Sequence, residues 1–133
     1  MDQIEEKFQT LHVLVVDDMD SIRSLVNSTL NELGVRKIYL VPNGSVAWKQ
    51  LKDTRIDLII CDWDMPQMSG LELLRLVRAS KPHSQIPFLM LTATTEKEKV
   101  MEAVEAGASD YLAKPFSPKD LEYRVIKLLR KIK

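Results

Sequence analysis

The sequence contains very little cysteine, carries no net charge and has no long apolar run. A single cysteine, Cys61, cannot form an internal disulfide, which favours a reduced protein of the cytoplasm. Nineteen Lys and Arg residues balance nineteen Asp and Glu residues, so the bulk charge predicts no nucleic-acid or membrane partner. No apolar run approaches the roughly 18 residues of a membrane span. Because the N-terminus also lacks the basic and apolar segments of a signal peptide, we expect a soluble, cytoplasmic protein.

The glycine-rich loops that bind nucleotide phosphates are also missing. Neither GxxxxGK[ST] nor GxGxxG occurs in the chain, which contains four glycines in all. The sequence therefore has no recognisable cradle for ATP or a dinucleotide.

Short apolar runs alternate with helical patterns along the chain. The runs at 58–61 and 88–91 do not alternate with polar residues, which is typical of strands buried on both faces of a parallel sheet. The predicted strands are residues 11–16, 37–41, 58–61, 88–91 and, more weakly, 110–113. The helix signals are an apolar stripe ending at Gly34, a short pattern at about 45–52, capping boxes at Ser69/Glu72 and Thr95/Glu98, and Ser117 before Pro118.

Five β-α repeats predict an α/β domain with a doubly wound, five-stranded parallel sheet and five helices on its two faces. We assign residues 11–133 to this domain and residues 1–10 to an N-terminal extension.

Polar side chains follow four of the predicted strands. Asp17 and Asp18 come after the first strand, Asp62 after the third, Thr92 after the fourth and Lys114 after the fifth. Ligands of open α/β sheets bind beyond the carboxyl ends of the strands, so these side chains are expected to meet there. Each has an ordinary interpretation when taken alone, such as a helix cap or a surface position. Their joint placement favours a functional site.

Carboxylates held close together repel one another, and a hard cation with oxygen ligands relieves that repulsion. An open site of this kind favours Mg²⁺, with Asp18 and Asp62 as direct ligands and Asp17 acting directly or through water. A carboxylate is also able to act as nucleophile toward a phosphoryl group, while Lys114 and Thr92 contact the phosphoryl oxygens. Without a nucleotide cradle, the phosphate is expected to come from a partner.

The chain resembles the receiver domains of two-component response regulators, and those of the CheY type in particular. Four segments carry the resemblance: VLVVDD at 13–18, DLIICDWDMPQMSGLELL at 57–74, PFLMLTA at 87–93 and AGASDYLAKPF at 106–116. The resemblance implies a flavodoxin-like fold with strand order 2-1-3-4-5. It also implies that Asp62 is the phosphorylation site and that Lys114–Pro115 is a cis peptide.

The same resemblance assigns further roles. Asp17 and Asp18 form the acidic Mg²⁺ pocket, and the backbone carbonyl of Asp64 completes the protein's ligands. Thr92 is the switch hydroxyl, Lys114 pairs with the phosphate, and Tyr111 corresponds to the aromatic switch residue. Asp64 and Thr94 occupy the positions that tune the lifetime of the phosphate, and an acidic residue at Asp64 departs from the amide of CheY.

The implied partners are a histidine kinase or phosphotransfer protein and a downstream protein target. The target would bind the face formed by the fourth helix, fifth strand and fifth helix. The basic residues expected on that face are Lys97, Lys99, Lys119, Arg124 and Lys127.

Three alternatives remain open at this point. The chain could be a receiver taken from a larger regulator with a separate output domain, or a receiver-like fold used only for binding. Asp62-Trp63-Asp64 also matches the Asp-x-Asp motif of Mg²⁺-dependent phosphatases with an aspartyl nucleophile. Against the phosphatase, the paired Asp17 and Asp18 precede this motif and no cap domain is present.

Overall fold

Strands and helices alternate along the chain, as the sequence predicts. The computed structural model describes residues 6–93 and 97–132. The strands are β1 (His12–Val16), β2 (Lys37–Val41), β3 (Leu58–Asp62), β4 (Phe88–Thr92) and β5 (Asp110–Ala113). The helices are α1 (Asp20–Glu32), α2 (Gly44–Asp53), α3 (Gly70–Ala79), α4 (Lys97–Ala106) and α5 (Pro118–Lys131). Short 3₁₀ helices form at Glu6–Thr10 and Lys81–His83.

The five strands form one parallel sheet in the order β2-β1-β3-β4-β5, which confirms the predicted fold class and strand order. β3 and β4 each extend one residue further than predicted, so Asp62 and Thr92 are the last residues of their strands. Val16 pairs with Cys61, and Asp62 pairs with Leu91. This register brings the carboxyl ends of β1, β3 and β4 level with one another.

The sheet separates two hydrophobic cores. Every residue of β3 and β4 is buried, because successive side chains enter the core on one face and then the core on the other. Leu58, Ile60 and Leu89 pack with α1 and α5 on one face. Ile59 and Phe88 pack with α2, α3 and α4 on the opposite face. Burial on both faces accounts for the uninterrupted apolar runs in the sequence.

Local signals define most of the helix ends. The capping box of Ser69 and Glu72 forms as predicted, and Ser117 forms a second box with Asp120. Gly34, with φ of 99°, follows the end of α1. The capping box predicted at Thr95 lies outside the described residues. Among residues 6–93 and 97–132, we find no helix that combines the length and apolarity needed to cross a membrane.

The segment before β1 packs on the domain. Phe8 is completely buried in the same core as α1 and α5. Lys7 Nζ donates hydrogen bonds of 2.9 Å to the Arg130 carbonyl and 2.8 Å to the Ile132 carbonyl, at the C-terminal end of α5. A cation at this position satisfies carbonyl groups that the helix leaves unpaired. Residues 6–10, which the sequence places in an extension, thus contribute to the core.

Replacing Phe8 by Ala tests this contribution. The change removes a fully buried ring and should lower the free energy of unfolding by about 3 kcal/mol. Urea denaturation followed by far-ultraviolet circular dichroism measures the difference. Gln9→Ala at the neighbouring position is the control and should change the same free energy by less than about 0.5 kcal/mol. A loss below about 1 kcal/mol for Phe8→Ala would contradict the packing of this segment.

Candidate functional site

Three carboxylates meet at the carboxyl edge of the sheet. Asp17 directly follows β1, Asp18 is the next residue, and Asp62 ends β3. Each offers a ligand atom within 4.8 Å of those of the other two. Asp17 and Asp62 are buried, whereas Asp18 is exposed, so the cluster opens to solvent on the side of Asp18. The structure therefore brings together the three acidic residues that the sequence predicted to be neighbours.

Lys114 joins two of these carboxylates. Its ammonium lies 3.0 Å from Asp62 Oδ1 and 3.2 Å from Asp17 Oδ2. Lys114 directly follows β5, and its backbone N–H donates a 2.7 Å hydrogen bond to the Thr92 carbonyl. The Lys114–Pro115 peptide is cis, as predicted. The lysine side chain thus reaches from the end of β5, past the end of β4, to the carboxylates at the ends of β3 and β1.

Burial and mutual repulsion shape the electrostatics of the cluster. Burial and the negative charge of Asp17 raise the pKa of Asp62, although Lys114 and a hydrogen bond from the Asp64 backbone oppose that rise. For Lys114, burial lowers the pKa, but the hydrogen bonds and charges of Asp62 and Asp17 outweigh it and raise the pKa. One ammonium faces three carboxylates, so the site retains a net negative charge.

The loop after β1 is held by contacts that the sequence analysis missed. The Met19 N–H donates a 2.9 Å hydrogen bond to Asp17 Oδ1. Arg23 donates to the Asp17 carbonyl and forms an ion pair with Asp20 in the first turn of α1. The i,i+3 spacing of Asp20 and Arg23 signals the ion pair, whereas the contact with Asp17 depends on the direction in which α1 leaves the sheet. The Met19 contact orients the carboxylate of Asp17, and the Arg23 contact fixes the Asp17 backbone.

The loop after β3 is held by backbone hydrogen bonds. The Trp63 N–H donates to the Leu91 carbonyl, and the Gly70 N–H donates to the Trp63 carbonyl, each at 2.8 Å. A Cβ atom at Gly70 would lie 2.3 Å from the Asp62 carbonyl oxygen, so only glycine permits this approach of α3 to β3. The backbone hydrogen bonds of this loop therefore fix the position of Asp62, which precedes it.

The predicted switch residues lie on β4 and β5. Thr92 is buried at the end of β4, one residue beyond the strand partner of Asp62. Tyr111 is half-buried in the middle of β5, where it pairs with Met90. The Asp64 side chain is exposed. Thr94, the second position expected to tune the phosphate lifetime, lies outside the described residues.

Cys61 precedes Asp62 and is completely buried. Burial, followed by the charges of Asp62 and Asp17, raises the pKa of its thiol well above the ordinary range. The thiolate required for nucleophilic attack is therefore disfavoured, as expected of a core cysteine.

The donor set fits a hard divalent cation. The three carboxylates supply oxygen ligands at close range, and the exposed side of the cluster leaves room for water molecules. Mg²⁺ prefers oxygen ligands and retains several waters in such open sites. A bound cation would offset the negative charge that Lys114 leaves unbalanced.

Comparison with known proteins identifies the family. Residues 13–126 match the model of the response regulator receiver domain. The chain belongs to this family. It is 32% identical to chemotaxis protein CheY-3 of Vibrio cholerae serotype O1 over 124 residues, which cover 93% of this receiver and 95% of the relative.

Solved receiver structures share the fold. The chemotaxis response regulator CheY4 of Vibrio cholerae superposes with a TM-score of 0.83 at 36% identity, covering 89% of this receiver and 98% of CheY4. The receiver domain of the sensor histidine kinase PA1611 from Pseudomonas aeruginosa superposes with a TM-score of 0.80 at 28% identity, covering 90% and 98% of the two chains. That domain was solved with a magnesium ion coordinated in its active-site cleft.

Receiver domains as a family are the phosphoryl-accepting switches of two-component signalling. They use Mg²⁺ at an acidic pocket, have weak autophosphatase activity, and act with histidine kinases and downstream targets.

Replacing Lys114 by Met tests the electrostatics of the cluster. The substitution leaves two buried carboxylates without their ammonium partner, so the free energy of unfolding of the metal-free protein should fall by about 2 kcal/mol at neutral pH. The loss should shrink as the pH falls toward 3.8, the ordinary carboxyl value, because protonation of Asp62 removes the charge that needs a partner. Urea denaturation at a series of pH values measures both effects.

Lys119→Met, at an exposed position, is the matched control and should change stability by less than about 0.5 kcal/mol. The pKa of Lys114 is raised in the folded state, so its stabilisation is complete below the ordinary value of 10.5. It is lost only as the pH rises through the folded-state pKa. A loss in Lys114→Met that does not diminish at acidic pH would contradict this account.

Proposed function

We propose that this receiver accepts a phosphoryl group on Asp62 from a histidine kinase or phosphotransfer protein in an Mg²⁺-dependent reaction. The observation that carries the proposal is the contact of Lys114 with two members of the carboxylate cluster. Metal ligands would be Asp17, Asp18, Asp62 and the backbone carbonyl of Asp64. The magnesium in the PA1611 receiver supports this choice of cation.

Asp62 is the best placed of the three carboxylates to act as nucleophile. It ends the central strand β3, with Asp17 at the end of one neighbouring strand and Thr92 at the end of the other. A phosphoryl group on Asp62 would therefore have acidic metal ligands on one side and the hydroxyl on the other. Asp17 is less suited, because β3 separates its strand from β4, which carries the Thr92 hydroxyl.

In the proposed reaction, an Asp62 carboxylate oxygen attacks phosphorus while the bond from phosphorus to the donor's imidazole nitrogen breaks. The imidazole leaves with the electron pair of that bond, and an acyl phosphate forms. Lys114 pairs with one phosphoryl oxygen, and the Thr92 hydroxyl donates a hydrogen bond to another. Bound Mg²⁺ would neutralise charge on the transferring group.

The signal would pass from Thr92 to Tyr111 and then to the face formed by α4, β5 and α5. On that face, Arg124 Nη1 lies 2.7 Å from Asp110 Oδ1, which links α5 to β5. Lys97, Lys99, Lys119 and Lys127 add basic character to the proposed binding face for a downstream protein target. We place the protein in the cytoplasm and propose no binding of nucleic acid or membrane by this domain alone.

Labelling with a small phosphodonor such as acetyl phosphate tests the proposal. Intact mass spectrometry should show the gain of one phosphoryl group per chain in the presence of Mg²⁺ and none when Mg²⁺ is chelated. The adduct should be labile to hydroxylamine, as an acyl phosphate is, and should be lost in Asp62→Asn.

Asp53→Asn provides a matched control, since Asp53 is an exposed acid at the end of α2 and should leave labelling intact. The absence of an adduct under every condition would overturn the proposal. Sustained turnover of a generic phosphate ester would instead identify a phosphatase.

Asp64 is expected to influence how long the acyl phosphate survives. Its exposed carboxylate places negative charge two residues from Asp62, where it repels the negative charge that builds up on the phosphoryl group and the attacking oxygen during hydrolysis. Asp64→Asn should therefore hasten the decay of the acyl phosphate by about twofold or more. The first-order loss of the adduct, followed by mass spectrometry with Asp53→Asn for comparison, measures the change. An unchanged decay constant would show that this charge has no role.

A further inference from the structure

α4 is packed lightly on the rest of the domain. Of its ten described residues, Ala103 alone is buried. Met101 and Val104 are 50% and 59% exposed, although both are apolar. A helix with so little buried surface depends on a small number of contacts for its position.

The C-terminal end of α4 is held by a cation. Arg78 Nε on α3 donates a 3.0 Å hydrogen bond to the carbonyl of Gly107, which directly follows α4. Arg78 Nη1 also donates to the carbonyls of Ser84, at 3.2 Å, and Ile86, at 2.7 Å. Gly107 has a φ of 105°, a backbone conformation that favours glycine, and a Cβ atom there would lie 2.9 Å from Arg78 Nε. Arg78 thus joins this end of α4 to α3 and to the loop that precedes β4.

The N-terminal half of α4 is held in a different way. Lys99 Nζ lies 6.0 Å from the ring centroid of Trp63, within the range of a cation–π contact. Trp63 directly follows Asp62, is 8% exposed, and is fixed by the backbone hydrogen bonds that anchor its loop. This contact therefore connects α4 to the residue next to the proposed phosphorylation site.

A narrow space lies beneath this contact. It is bounded by Met90 and Thr92 on β4, by Tyr111 on β5, and by the inner side of α4, and Trp63 and Lys99 also line it. The space is too small to hold a water molecule. Movement of the N-terminal half of α4 away from the sheet would widen this space beside the Tyr111 ring. The same movement would carry Lys99 away from Trp63.

We propose that Lys99 and Trp63 form a latch that keeps the N-terminal half of α4 closed over the sheet. Arg78 holds the other end of the helix, so opening is a pivot about Gly107. Lys99 is then a positioning residue, which acts on Tyr111 through the space that α4 leaves for its ring. The connection between latch opening and phosphorylation rests on the proposed function, whereas the latch in the free protein does not.

Hydrogen exchange of the α4 backbone amides tests the latch in the unphosphorylated chain of 133 residues. Lys99→Met removes the charge but keeps an unbranched side chain, and it should accelerate exchange in the N-terminal half of α4 by roughly two- to fivefold. Lys99→Arg keeps a cation over the ring and should restore exchange to the wild-type rate. Amides beyond Gly107, near the Arg78 contacts, should be unaffected in both variants.

Lys97→Met is the matched control, because it makes the same change of charge two residues earlier on the exposed surface of α4. Equal exchange rates in Lys99→Met and Lys97→Met would overturn the latch. Fluorescence gives a second readout. In a Trp48→Phe background, where Trp63 is the one remaining indole, Lys99→Met should alter the emission and Lys97→Met should not.

Beryllium fluoride, which mimics an acyl phosphate, tests the connection to phosphorylation. With Mg²⁺ present, it should accelerate α4 exchange in the wild type, and the acceleration should be smaller in Lys99→Met, whose latch is already open. Binding of beryllium fluoride without a change in α4 exchange would overturn the connection. Failure of beryllium fluoride to bind would count against the proposed function, and the comparison of free Lys99→Met with Lys97→Met would still decide the latch.

Discussion

Repulsion between the carboxylates of Asp17 and Asp62 is the constraint around which the carboxyl edge of the sheet is arranged. Both groups are buried at the ends of adjacent strands, where solvent screens their charges poorly. Lys114 relieves part of the repulsion, and it reaches them because β5 ends beside β4 and delivers its next residue to this edge. A divalent cation would offset the remaining negative charge, and the proposed phosphotransfer to Asp62 depends on that compensation.

Much of this arrangement follows from local sequence. Buried strands of a parallel sheet are apolar on both faces, so the runs at β3 and β4 indicate both the strands and their central position. Polar residues at strand ends then identify Asp17, Asp18, Asp62, Thr92 and Lys114, and the capping boxes of α3 and α5 show where those helices begin.

The features that escaped prediction depend on tertiary placement. In the sequence, Phe8 belongs to a predicted extension, and only the fold shows that its ring enters the core. Arg78 has the sequence pattern of an ordinary helical arginine, and only the fold shows that it donates hydrogen bonds to three carbonyls. Two further contacts also depend on tertiary structure: the close approach of Gly70 to β3 and the contact between Lys99 and Trp63. No local sequence pattern indicates that these segments are neighbours. The burial that raises the pKa of Asp62 is also a tertiary property, because β3 lies between two neighbouring strands. Stability is therefore distributed unevenly, with a rigid centre at β3 and β4 and a loosely held α4 at the edge.

The hydrogen bonds of Lys7 to the end of α5 also determine where the two ends of the described chain lie. They bring residue 7 and residue 132 to one corner of the domain, and Ile132 lies near Asp57 and Pro87, at the amino ends of the central strands. The acidic cluster occupies the opposite pole. Residues 7 and 132 therefore both lie at the end of the sheet away from the acidic cluster, which leaves the proposed phosphorylation site uncovered by either of them. This geometry suits a domain that is exchanged between different protein architectures as a unit.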